Sequence, residues 1–141
     1  MRLGYTLLEL VFVLMLIAAG FAMVAPAYER AHERLIVRSA RESLVGLIVR
    51  ARSLAVAHGG ATLILTAEPA GASLQTGGEV RDSLSLTALG VAMDLTAGRP
   101  QAGLRFNSLG IGELAGQTVG LSRGAARSGL IVSAYGRVRR W

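Results

Sequence analysis

Two groups of residues in this chain have the type and spacing to do chemistry, or to bind something that carries charge. Near the start, Glu9 is the one charge in a segment that is otherwise apolar from Tyr5 to Tyr28. A carboxylate costs at least ~2.5 kcal/mol at the middle of a membrane and less near its edge, so it demands a partner. At the other end, Tyr135, Arg137, Arg139 and Trp141 fall on alternate positions, together with Ile131 and Ser133. If Leu130, Val132, Ala134 and Val138 face a core, strand alternation gathers these residues on one outer face. Two guanidiniums flanked by two rings suit phosphate contacts with base stacking beside them, and Arg123, Arg127 and Arg140 would widen the patch. The plainer alternative makes Arg137 and Arg139 solvated charges on an edge strand that discourage sheet-to-sheet aggregation, with Gly136 a bulge.

Catalysis finds no matching constellation. His32 and His58 lie far apart on one helical stretch, with no HExxH spacing and no nucleophile beside them, and read as surface or capping histidines. Asp82 and Asp94 are the only aspartates, and no acidic loop has calcium-ligand spacing. Gly110-Ile111-Gly112 lacks the third glycine of a nucleotide fingerprint and reads as a turn. Cysteine is absent, which removes thiol nucleophiles, disulfides and thiolate metal sites. The expectation is a chain that is not an enzyme and holds neither a metal nor a cofactor.

Its partners are charged ones. Every one of the 15 basic residues is arginine, and the segment from 99 to 141 holds seven of them against Glu113, a net +6 equal to that of the whole chain. Residues 59 to 98 lean the other way, with Arg81 against Glu68, Glu79, Asp82 and Asp94. A localised positive field of this kind favours an anionic partner.

The elements that position these residues follow from periodicity. The apolar run from 5 to 27 is long enough to cross a bilayer as a helix at about 1.5 Å per residue. From 28 to 58 the pattern turns amphipathic: Ala40, Leu44, Leu47, Ile48, Ala51, Leu54 and Ala55 form one stripe. Arg30, Arg34, Arg38 and Arg41 lie on another face, and Arg38 and Glu42 have ion-pair spacing. Pro26 is expected to kink the helix or break its hydrogen-bond ladder, and Gly59-Gly60 to end it. A secretory signal is the rival reading, since Ala25-Pro26-Ala27 has the small-x-small form; the length of the run, Glu9, and the helical pattern continuing past the cut weigh against it.

Beyond the double glycine the period becomes two. Ala61, Leu63 and Leu65 alternate with Thr62, Ile64 and Thr66, Leu84, Leu86 and Ala88 alternate with Ser85 and Thr87, and Val91, Met93 and Leu95 follow. Leu104 and Phe106, Val119 and Leu121, and Leu130, Val132 and Ala134 continue the series. Six or seven short strands between glycine-rich turns predict an antiparallel sandwich or bent sheet packed on the amphipathic stripe, an α+β architecture.

These residues carry a family resemblance. Gly4-Tyr5-Thr6-Leu7-Leu8-Glu9, the apolar helix, Pro26, the stalk and the small β domain resemble a type IV prepilin, the class shared by type IV pili and type II secretion pseudopilins. The stretch from Leu104 to Gly110 and the ending from Gly129 to Arg139 resemble the family of type II secretion pseudopilin H and the minor pilin FimT. The resemblance implies a type IV pilin-like fold with a leader at 1–4, a transmembrane half-helix at 5–27, a stalk half at 28–58 and a periplasmic head at 59–141. It implies cleavage by prepilin peptidase between Gly4 and Tyr5, N-methylation of Tyr5, and pairing of Glu9 with the terminal amine of a neighbouring subunit. The implied partners are other pseudopilins or pilins through the helix, the peptidase and the bacterial inner membrane, which the chain crosses once. The implied function is that of a minor subunit of a secretion pseudopilus. The alternative is a FimT-like pilin that binds DNA for uptake, because Gly136-Arg137-Val138-Arg139 matches the Gly-Arg-x-Arg element of such pilins. Arg30, Arg34, Arg38 and Arg41 just after the span would by charge bias keep the head in the cytoplasm; the prepilin motif is taken to override that bias.

Overall fold

A computed structural model of the chain describes residues 6–113 and 116–141. One helix, α1 (Leu7–His58), precedes eight strands: β1 (Gly60–Thr66), β2 (Gly71–Thr76), β3 (Glu79–Ser85), β4 (Ala92–Leu95), β5 (Gln101–Asn107), β6 (Gln117–Arg123), β7 (Ala126–Val132) and β8 (Val138–Arg140). The chain is therefore α+β, with a long helix at the N-terminal end and an antiparallel β domain after it.

The start of α1 is written in its first residues. The Thr6 hydroxyl accepts from the Glu9 amide at 3.3 Å, and the Thr6 carbonyl accepts from the Leu10 amide at 3.2 Å, so Thr6 caps the helix. Glu9 stands three residues on, the spacing of a capping box, where its charge also favours the positive end of the helix dipole. At the other end Gly59 takes φ of 81°, a left-handed turn that ends a helix without a Cβ clash, and His58 Nδ1 meets the Leu54 carbonyl at 3.2 Å. The chain stays helical through Pro26, where the ladder loses the amide that would have bonded the Ala22 carbonyl.

The chain divides into two compact units between His32 and Glu33. In the first, α1 carries an 18-residue window of mean hydropathy 2.6 with none of it buried, long and apolar enough to cross a membrane. Leu7, Leu8, Phe12, Met15 and Phe21 are all exposed.

In the second unit the rest of α1 lays its apolar stripe into the core. Ala40, Leu44, Ile48, Ala51 and Ala55 are fully buried, Leu47 nearly so, and Val37 extends the stripe one turn earlier. Two four-stranded antiparallel sheets, ordered β3-β2-β1-β5 and β4-β6-β7-β8, contribute to the same cluster. Alternation decides which residues enter it: Ala61, Leu63 and Leu65 from β1, Ala102, Leu104 and Phe106 from β5, Val119 and Leu121 from β6, Leu130 and Val132 from β7. Arg50 pairs with Asp82, and the Arg52 Nε donates to the Gly110 carbonyl at 3.0 Å, fastening α1 to β3 and to the loop after β5.

Three local expectations need correction. The strand placed over 84–88 ends at Ser85, and the chain turns through Thr87–Leu89 instead; Leu86 is buried but Ala88 is exposed. Strand β2 is additional: Leu74 is the one large apolar residue of its inward set, between Ala72 and Thr76, too few to signal a strand by alternation. Ala134 is exposed, because the chain reverses after Val132.

That reversal is fixed by a glycine and a ring. Gly136 has φ of 81°, and a Cβ there would lie 2.9 Å from Phe106 Cε1. Gly136 is thus a turn residue under the Phe106 ring, not a bulge. On the other side, Asn107 Oδ1 accepts from the Leu109 and Ile111 amides, each at 3.0 Å, closing the loop that follows Phe106.

Candidate functional site

At the N-terminal end, Gly4 and Tyr5 lie outside the described residues. Glu9 is exposed in the first turn of α1, and among the described residues its carboxylate forms no ion pair. The residue that sequence reading missed here is Thr6, whose hydroxyl holds the Glu9 amide; the Thr6-x-x-Glu9 spacing was the available signal.

At the C-terminal end the six candidate residues do not form one patch. Arg140 folds back onto α1, its Nε 3.1 Å from Glu42 Oε1 and its Nη2 3.0 Å from Glu42 Oε2. Arg123 donates to the Leu89 carbonyl, beside Gly90. The alternation from Ile131 to Trp141 is broken by the turn, so Ile131 belongs to β7 and faces Arg139 across the β7–β8 pairing. Arg137 follows the turn, with its amide 3.1 Å from the Ser133 hydroxyl, and Tyr135 is exposed within it. Arg139 is exposed on β8, an edge strand.

Trp141 continues the pairing past β8, exchanging two backbone hydrogen bonds of 3.1 Å with Gly129. Its indole lies on that glycine: a Cβ at position 129 would come within 2.6 Å of Trp141 Cε2. A larger residue at 129 would press on the Val119 carbonyl of β6, 2.5 Å away, as well as on the ring.

Arg127 and Trp141 instead meet α1. Arg34, Val37, Arg38 and Arg41 face Ala125, Ala126, Arg127, Ser128 and Trp141 around a groove of about 510 Å³. Arg41 is half-buried and held: its Nη1 donates to Ser128 Oγ at 2.9 Å, that hydroxyl donates to the Trp141 carbonyl at 3.0 Å, and its Nη2 lies 2.8 Å from Glu42 Oε1. Glu42 therefore pairs with Arg41 and Arg140, not with Arg38 as the i,i+4 spacing suggested. The helical spacing of Arg34, Arg38 and Arg41 was visible in the sequence; that Arg127 and Trp141 line the same groove depends on the fold.

The Arg140 hydrogen bonds first, and then those of Arg41, hold the Glu42 carboxyl below its ordinary 4.5. A carboxyl lowered in the folded state binds fewer protons there than when unfolded, so its contribution is complete above the ordinary value and lost as pH falls through the folded one. Glu42→Gln is accordingly expected to lower the melting temperature slightly at pH 7, with the difference from wild type shrinking as pH falls below 4.5, read by thermal unfolding of both proteins.

His32 stacks on Tyr28 with ring centroids 6.1 Å apart, and among the described residues no group of three His, Cys, Asp or Glu is placed to hold a metal ion. Asp82 is taken by Arg50, and Asp94 lies on the outer face of β4. No family model, curated protein or solved structure matches the chain.

Proposed function

We propose that this chain is a minor pilin-like subunit, anchored in the bacterial inner membrane by the first half of α1 and assembled with other subunits into a type II secretion pseudopilus. One observation carries the reading: a single helix whose first half bares its apolar side chains and whose second half supplies the core stripe of a β domain. A bare apolar surface of that size is stable only when lipid or other helices cover it, which suits a subunit anchored and assembled through that helix. The Gly4-to-Glu9 motif supports processing between Gly4 and Tyr5 with N-methylation of Tyr5, and on this reading the head is periplasmic and has a type IV pilin-like fold. The test is to shear filaments from cells making a tagged copy: the chain is expected in the fibre fraction with its partner subunits, and its confinement to the membrane fraction would contradict the proposal.

DNA capture is the second reading, favoured by exposed Arg137 and Arg139 on and beside an edge strand. Arg140 and Arg123, already engaged by Glu42 and Leu89, add little to it. A phosphate site loses affinity steeply as salt rises. DNA binding that follows this salt dependence and is lost in Arg137→Ala/Arg139→Ala supports DNA capture; a double variant that binds as well as wild type removes it.

A further inference from the structure

We propose that the groove between α1 and the start of β7 is a docking slot for a short acidic segment of a partner protein. The fold leaves its charge unbalanced. Among the described residues Arg34, Arg38 and Arg127 take part in no ion pair, although all three line the groove. Glu42, four residues after Arg38, would be its natural partner on the helix, but Arg140 and Arg41 hold that carboxylate. Glu33, beside Arg34, spends a carboxylate oxygen on the Ala125 amide at 3.3 Å. Like charges four residues apart weaken a helix, so Arg34 and Arg38 gain from an anion laid between them.

The shape of the charge selects the partner. Arg34 and Arg38 are one turn apart, roughly 6 Å along the axis, close to the separation of alternate residues on an extended strand. An acidic residue, any residue, and a second acidic residue in extended form thus match two guanidinium forks, with charge-assisted hydrogen bonds to each carboxylate. Trp141, just over half exposed, offers its ring to the middle side chain. A nucleic acid strand fits less well. Arg34 to Arg41 spans only about 10 Å, and Glu33 and Glu42 stand immediately before and after it, so the charge of a nucleic acid strand, which continues past any two phosphates, would run onto carboxylates at both ends.

Trp141 is the only tryptophan, so its fluorescence in the full chain in detergent micelles reports on the groove. The probe is acetyl-Glu-Phe-Glu-amide, with acetyl-Gln-Phe-Gln-amide as the neutral control and oligothymidylate as the competitor. The acidic peptide is expected to change the fluorescence saturably at roughly millimolar concentration or below, and Arg34→Ala/Arg38→Ala to weaken it about tenfold or more. Both arginines are exposed, and unchanged circular dichroism of the variant checks that its fold is intact. The proposal is overturned by no saturable change with the acidic peptide, by an equal response to the neutral one, or by an unaffected double variant. Displacement of the peptide by oligothymidylate at lower concentrations than the peptide itself needs assigns the groove to nucleic acid and overturns it equally. None of these results bears on membrane anchoring or on Glu9, so this inference and the assembly reading fail separately.

Discussion

Glu9→Ala is expected to insert into the membrane and to be processed as wild type, yet to be lost from the filament. The change removes a charge from an apolar helix, so insertion becomes easier. Assembly suffers because, under the proposed reading, the new amine of a neighbouring subunit is left buried without its counter-charge. Unit charges ~4 Å apart attract by about 4 kcal/mol at an effective dielectric of 20, before desolvation offsets part of it, and each ~1.4 kcal/mol lost is tenfold in association. Thr6 introduces a competing role, since Glu9 also occupies the third position of a capped helix start. Glu9→Gln separates the two. Glutamine serves at that position of a capping box but cannot neutralise an amine. Loss of both variants from sheared fibres, with both present in the membrane, is the expected outcome; a Gln variant that assembles normally would reduce Glu9 to a helix-start residue.

The second large effect lies in the β domain. Phe106 is 2% exposed and its ring covers Gly136, so it joins two stretches of sequence, Leu104 to Gly110 and Gly129 to Arg139. Phe106→Ala is expected to cost about 3–5 kcal/mol through lost burial and the cavity left behind. Gly136→Ala should cost about 1–3 kcal/mol, from a left-handed backbone with a Cβ and from that Cβ meeting the ring. In Phe106→Ala/Gly136→Ala the ring is gone, so only the backbone part of the glycine effect remains and the double variant should be more stable than the sum of the singles. Thermal unfolding of the four proteins reads this out, and strict additivity would show that the ring and the turn are independent.

How far the sequence reached can be judged from particular residues. The stripe on α1 was legible because Ala40, Leu44, Ile48, Ala51 and Ala55 repeat at helical spacing and all are buried. The inward residues of β1, β5 and β6 were legible from alternation, whereas β2 was not, because Gly71, Ala72, Ser73 and Gln75 lack the bulk that marks a strand. The tail misled for a physical reason. Alternation was carried from Ile131 to Trp141 as if along one strand, but Gly136 in a left-handed conformation under Phe106 folds the chain back on itself. Arg140 and Trp141 thereby reach α1, Arg140 onto Glu42 and Trp141 to the wall of a groove that holds Arg34 and Arg38. A tertiary contact of this sort leaves no local trace: Glu42 looks like the partner of Arg38 until the chain end comes round to claim it.

The assembly reading depends most on where the mature chain begins. Purification from the membranes of a host that makes prepilin peptidase, followed by intact-mass analysis and N-terminal sequencing, measures this directly. The expected result is a chain that starts at a methylated Tyr5 and keeps its apolar helix; a chain that starts at Tyr28 would mean removal of the helix as an ordinary signal and would contradict the account.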